Sequence, residues 1–381
     1  MSHDVLIPKA LFFKTSVYDS NRNIGLDIIR AICVIAVVLT HTNNYLGAYS
    51  GIYKIVFPLG YVFQDLFFAL SGFLVGRQII RHLNTSGSNL NLITFYKNRW
   101  IRTVPFYLIF LLINFLIFHI IYQHEDLLLF KKTSFSIFNY LTFTQNLYVP
   151  HPTFFPEIWP LPIEEWSFLF LPVPIVLISV LFNKTLNTKN LLTVLFIEIM
   201  IVTLYRVYYI IQSDPELDWE LRKIVVYRLD ALLYGFVIRI FSDNYSHILN
   251  KNKFRLLIIG IVLSFGFYFS KPYLPMLLYK SLFFTVIPIG MSLTLPYFYF
   301  VNFNKLSQWL KSILTHFSLT SYAVLLSHLY LIQFGMLCIY VPLNLNEALV
   351  FTSVYLAFVI SFSTLFFNYI ERPILLWRKK I

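Results

Sequence analysis

Ten apolar runs, each long enough to cross a bilayer as a helix, govern what this 381-residue chain can fold into. They lie near residues 25–46, 56–76, 103–122, 159–182, 190–211, 224–241, 254–270, 279–300, 318–341 and 346–369. A hydrocarbon core of about 30 Å takes roughly twenty apolar residues at helical rise. The chain therefore reads as an all-α polytopic membrane protein of about ten transmembrane helices. Only 13% of its residues are charged, against about 25% in soluble domains. The 40 Phe and 26 Tyr suit lipid-facing surface and interfacial belts. No stretch is long or polar enough for a separate soluble domain. The expected layout is an N-terminal cytoplasmic segment at 1–24, a membrane domain at 25–370 and a basic cytoplasmic tail at 371–381. Residues 1–23 hold no cleavable apolar core, so the first span reads as an uncleaved signal-anchor.

The net charge of +12 invites a nucleic-acid reading, which its distribution excludes. On a ten-span model, twenty Lys and Arg fall on the side of the termini, seven on the other, and Arg30, Arg206 and Arg228 within spans. By the positive-inside rule both termini are expected in the cytoplasm. Cys33 and Cys338 both sit in apolar runs and suggest packing rather than a disulfide or metal site.

The first run carries Asp27, Arg30 and His41. Eleven residues at about 100° each bring Arg30 and His41 to nearly one azimuth, roughly 16 Å apart along the axis. Asp27 and Arg30, at i, i+3, are expected to pair. An arginine within a span costs at least ~2.5 kcal/mol and is seldom left facing lipid, so the stripe points to function. Histidine is the side chain best suited to take a proton from a hydroxyl near neutrality. In the second run Asp65 lies near mid-span, and Ser71-Gly72 make a notch for close helix approach. Nothing local activates Ser71 as a nucleophile. Lys97, Arg99 and Arg102 open the third run. They read as a topology anchor or, since Arg99 and Arg102 project the same way, as a grip on phosphates. The passage at 148–162 is rich in aromatic residues and proline and is not expected to be regular helix. Just beyond it, Glu164 and Glu165 differ by ~100° in direction, so at most one faces a given cavity. Arg228 and Asp230 lie in the sixth run. Glu198, Arg206 and His328 read as packing or hydrogen-bonding residues.

In this order, the segments resemble the acyltransferase-3 superfamily, the integral membrane acyltransferases of bacterial cell-envelope glycans. The resemblance rests on Arg30…His41 within LDIIRAICVIAVVLTH, on DLFFALSGFL at 65–74 and on the RxxR-then-proline segment at 99–105. It extends through WPLPIEE at 159–165 and RLDALLYG at 228–235, then SYAVLLSH at 321–328 and YIERP at 369–373. It implies an acyl-CoA donor reached from the cytoplasm, most simply acetyl-CoA, and a carbohydrate hydroxyl as acceptor, such as lipopolysaccharide O-antigen or exopolysaccharide. It implies an inner-membrane location, with membrane lipids around the protein, no permanently bound cofactor and no nucleic-acid partner. Carried onto this sequence, His41, Arg30 and Glu164 become the catalytic candidates. Arg99, Arg102, Lys97 and Ser71 become the donor-binding candidates, and Asp65, Glu165, Arg228 and Trp159 those for the acceptor. Pro160 and Pro162 depart from the family pattern, leaving open which glutamate turns inward. The alternative from buried charges alone is a transporter or flippase of lipid-linked or anionic substrates; a non-catalytic envelope scaffold is a further one.

Overall fold

In lipid a backbone has no water to bond and must close its hydrogen bonds internally, so the apolar runs fold as helices. The computed structural model describes residues 22–49, 51, 53–86, 92–122, 136–181 and 187–378. Several expectations fall outside these: the N-terminal segment up to residue 21, residues 87–91 of the turn-prone basic loop, residues 123–135 of the long outer loop, residues 182–186 and the last three of the basic tail. The principal helices are α1 (Ile24–His41), α2 (Tyr53–Ser86), α3 (Leu92–Tyr122), α4 (Pro160–Phe170), α5 (Pro172–Leu181), α6 (Thr188–Ser213), α7 (Leu233–Asn244), α8 (Ser246–Phe269), α9 (Met276–Phe300), α10 (Gln308–Ser327) and α11 (Leu345–Phe366). Among the described residues there is no strand, and nine helical segments are long and apolar enough to cross a membrane. The protein is an all-α, multi-pass integral membrane protein.

The expected sixth span, 224–241, is not one of the nine. In its place stand a π-helical turn (Leu217–Arg222), a 3-10 turn (Val225–Tyr227) and the 12-residue α7. Irregular backbone at membrane depth survives only where protein satisfies it. Arg206 Nη1 donates to the Tyr227 carbonyl (2.6 Å), Asn146 Nδ2 donates to that of Lys223 (2.5 Å), and the Val225 N–H donates to that of Asn146 (2.9 Å). The broken segment advances in step with α2: Arg228 pairs with Asp65, Leu232 meets Gly72 and Phe236 meets Gly76. It therefore runs parallel to α2 through the same depth of the bundle. The approach requires glycine, because a Cβ on Gly72 would stand 1.8 Å from the Leu232 oxygen and one on Gly235 1.8 Å from the Ala69 oxygen.

Two of the helices that extend beyond their apolar runs shape the site. α2 has 34 residues and α3 has 31, and a helix of either length, at about 1.5 Å per residue, outruns a bilayer core. Arg77 and Arg81 thus ride on α2, and Lys97, Arg99 and Arg102 on α3, as side chains of continuous helices. α1 is started by Asn23, whose side chain accepts from the Leu26 N–H (3.2 Å), and His41 is its last residue. Thr42 follows, its hydroxyl donating back to the Leu39 carbonyl (2.6 Å). Residues 148–155 are irregular, as the prolines predict, and Phe155 takes a left-handed φ of 49° ahead of a 3-10 turn, Pro156–Ile158. The end of that passage departs from expectation: residues 160–162 are regular helix, because Pro160 and Pro162 fall in the first turn of α4, where a missing N–H costs nothing. Ile29, Cys33, Leu66, Phe73, Phe283 and Met291 join α1, α2 and α9 in one buried cluster. The outward face of α6 exposes Ile201, Leu204 and Tyr208, which suits contact with lipid.

Candidate active site

Two cavities meet inside the bundle. The larger, about 900 Å³, lies among α1, α2, α3, α4 and α10, within the size range of small-molecule sites. The smaller, about 160 Å³, is walled by the end of α1, the start of α2, the Pro156–Ile158 turn and the Leu217–Arg222 turn. Val37, Gln64 and Leu325 line both and form the partition between them. Arg30 opens on the larger chamber and His41 on the smaller pocket. The two side chains share one stripe of α1 yet serve separate compartments, because they stand three turns apart.

His328 completes the junction. It lines the larger chamber, is wholly buried, and its ring centroid lies 5.1 Å from that of His41, the planes inclined at 54°. Its Nδ1 is 3.0 Å from the Val324 carbonyl oxygen and 3.1 Å from that of Leu325. Carbonyls only accept, so Nδ1 carries the hydrogen and Nε2 keeps a lone pair. Among the described residues, the buried Nε2 has no hydrogen-bond partner. The sequence pattern reads His328 as a packing or hydrogen-bonding residue, and its Nδ1 does hydrogen-bond. Its place at the end of α10, where a π-helical turn (His328–Phe334) begins, is invisible to periodicity.

Arg30 differs from its expected arrangement. Asp27 does not pair with it. Instead Asp27 is taken by Arg22, through Nε at 2.5 Å and Nη2 at 2.7 Å, and by the Ser318 hydroxyl at 2.6 Å. Arg22 lies just before the apolar run, on a backbone whose course the spacing rule does not cover. Arg30 keeps only a 3.5 Å contact from Nη1 to Ser318 Oγ, and no carboxylate lies in ion-pair range of it among the described residues. An unpaired guanidinium facing a chamber inside a membrane protein can receive an anion or a developing negative charge.

The adjacent glutamates separate as the ~100° rule requires. Glu164 lines the chamber, accepting from the Ser71 hydroxyl at 2.6 Å with Arg99 Nη2 3.5 Å from its other oxygen. Glu165 lines neither cavity and accepts from Arg99 at 3.1 Å. Arg99 also stacks on Phe168, 3.1 Å from the ring centroid. Its charge is thus engaged by carboxylates. Arg77, Arg81 and Arg102 are exposed and line the chamber's mouth, beside Arg22, which is paired with Asp27. Sequence reasoning missed Arg77 and Arg81 as site residues, though their i, i+4 spacing one turn past the run was a usable signal. Lys97 is exposed and lines neither cavity.

Asp65 and Arg228, expected at the acceptor site, form an ion pair sealed beneath Phe68 and Phe284 and open on neither cavity. Both are consumed in holding the broken segment to α2. Trp159 does line the smaller pocket, beside Glu157, Asp218, Arg222 and Lys223. The Arg222 guanidinium lies over Tyr61 (4.0 Å) and Trp159 (4.7 Å). Burial would raise the Asp218 carboxyl, but the Arg222 and Lys223 charges more than offset it and hold it at about 2. Burial, then the Arg222 charge, lowers the Lys223 ammonium.

A long chamber with an open cation, abutting a second pocket across a pair of imidazoles, fits transfer of a group between two bound molecules. Residues 23–369 match the family model described as an acyltransferase domain. The chain belongs to the acyltransferase-3 family. It is a membrane acyltransferase, and the match covers α1 to α11. No curated protein and no solved structure matches the chain.

Proposed function

We propose that this acyltransferase moves an acetyl or other short acyl group from cytoplasmic acyl-CoA to a hydroxyl of a cell-envelope carbohydrate, such as lipopolysaccharide O-antigen or exopolysaccharide, in the bacterial inner membrane. The observation that carries this reading is the meeting of a basic-mouthed chamber and a separate aromatic, charged pocket at His41. The excess of Lys and Arg on the side of the termini supports a cytoplasmic setting for both termini and for that mouth.

In this reading Arg102, with Arg77 and Arg81, binds the donor's phosphates, and the acyl-pantetheine arm extends inward past Ser71. Arg30 stabilises negative charge that develops on the thioester oxygen where water is scarce. Arg99 acts through Glu164, fixing it on the chamber wall with Ser71. The acceptor enters the smaller pocket, lined by Trp159, Tyr61 and the charged Asp218, Arg222 and Lys223. His41 removes the hydroxyl proton as the oxygen attacks the thioester carbon. The test is transfer of radiolabelled acetyl from acetyl-CoA to envelope polysaccharide by the purified, reconstituted protein. His41→Ala is expected to abolish transfer, and equal activity in that variant removes His41 from the mechanism. Mass analysis of envelope glycans from cells with and without the protein identifies the acceptor.

A further inference from the structure

The proposed reaction takes a proton from the acceptor oxygen, on the side of the smaller pocket, and must give one to the leaving sulfur, on the side of the larger chamber. In the tetrahedral adduct both atoms sit on one carbon, so two bases facing opposite compartments can divide the two transfers. We propose that His328 is a second catalytic residue, carrying this proton from His41 to the leaving thiolate across the partition. The proposal rests on the acyl-CoA reading given above.

Four observations converge on it. His41 opens only on the smaller pocket and His328 only on the larger chamber. Ring centroids 5.1 Å apart put the two imidazoles within direct or one-water reach of each other. His328 has its Nδ1 hydrogen committed to backbone carbonyls, so its one available function is the lone pair at Nε2. A buried nitrogen without a partner is uncommon in a packed protein and marks a place where a proton can be taken and given. Finally, the turn bearing His328 is tied to its surroundings at both ends. The Tyr330 N–H donates to Glu157 Oε1 (2.9 Å), and Gln333 Nε2 donates to the backbone carbonyl of His41 itself (2.9 Å). Gln333 Oε1 accepts from Asn44 Nδ2 (2.7 Å), which fixes that amide's orientation. The π-helical turn thus holds one imidazole in register with the other.

The step balances as follows. The acceptor oxygen bonds to the thioester carbon while His41 takes its proton. The tetrahedral adduct collapses and the C–S bond breaks, its electron pair staying on sulfur as the proton reaches it. His41 passes a proton to His328 Nε2, which delivers it to the sulfur, giving free CoA thiol and the carbohydrate ester with both histidines neutral again.

The test compares acetyl-CoA with its selenoester analogue, which keeps every recognition element but releases a far more acidic selenol that needs no proton to depart. His328→Asn places an amide N–H where Nδ1–H stood, keeping the bond to Val324 and Leu325 while removing the nitrogen that carries the proton. With acetyl-CoA, this variant is expected to lose at least ~100-fold in kcat at unchanged KM, the usual scale of general acid–base catalysis. With the selenoester it is expected to stay within about tenfold of wild type, which also reports a folded protein. His41→Ala is expected to fail with both donors. A His328→Asn variant that keeps acetyl-CoA turnover within about threefold of wild type, or loses both donors equally, overturns the relay. A wild-type protein that transfers from neither donor overturns the acyl-CoA reading and the relay with it.

Discussion

Arg30 and Arg206 look alike in the sequence, each a lone arginine in an apolar run, and the fold uses them in opposite ways. Arg206 is completely buried and surrounded by acceptors: both Asp230 oxygens at 3.0 Å, the Tyr227 carbonyl at 2.6 Å and the Thr285 hydroxyl at 3.3 Å. Tyr234 donates to the same aspartate (3.0 Å). Arg30 has one long contact and faces about 900 Å³ of open chamber. A buried charge whose valences are filled is a clamp, here pinning the broken sixth segment against α6 and α9. A buried charge whose valences are left open is held for something else. The same contrast separates Asp65–Arg228, sealed and structural, from Ser71–Glu164–Arg99, which forms a chamber wall.

The sharpest way to break the comparison is to remove each charge. Arg206→Leu leaves Asp230 buried and unpaired, and is expected to destabilise the protein by about 3–5 kcal/mol. Arg206→Leu with Asp230→Leu is expected to recover most of that loss, as read by thermal unfolding in detergent. Arg30→Gln is expected to leave the melting temperature unchanged while lowering acyl transfer roughly 10²–10³-fold, the scale of losing one charge-stabilising donor. Equal melting losses in the two arginine variants would erase the distinction. Arg102→Ala, at the chamber's mouth, is expected to raise the KM for acyl-CoA about tenfold at unchanged kcat, and unchanged CoA affinity would reduce this arginine to a topology anchor. The smallest effect concerns pH. The Asp218 carboxyl is held at about 2, below its ordinary 3.8. Its contribution to stability is therefore present above about pH 4 and is lost as pH falls towards 2. Asp218→Asn is expected to flatten that acid limb in melting curves between pH 5 and pH 2 while leaving the neutral value lower.

Much of the fold was legible because length and hydropathy decide which segments cross a bilayer. What was not legible depends on contacts between distant segments. The 224–241 run is apolar because it is buried among helices, and hydropathy does not distinguish that from facing lipid. Its breaks follow from Asn146, Arg206 and Gly72, which lie far away in sequence. In the site, the azimuth of Arg30 and His41 was readable from α1 alone, as was the impossibility of Glu164 and Glu165 sharing one cavity. The partner of Asp27 was misread because i, i+3 spacing cannot see Arg22 beyond the helix start or Ser318 on α10. His328 was discounted for a related reason: a lone histidine in an apolar helix acquires meaning only from a second ring 287 positions away, on another helix.

The central claim is that donor and acceptor approach His41 from opposite sides of the membrane. The direct test places the protein in sealed vesicles, with radiolabelled acetyl-CoA only on the side of the Arg81–Arg102 mouth and envelope polysaccharide only on the other. The account predicts labelled polysaccharide on the far side with no CoA crossing, and none with His41→Ala. Transfer that occurs only when donor and acceptor share one side would contradict it.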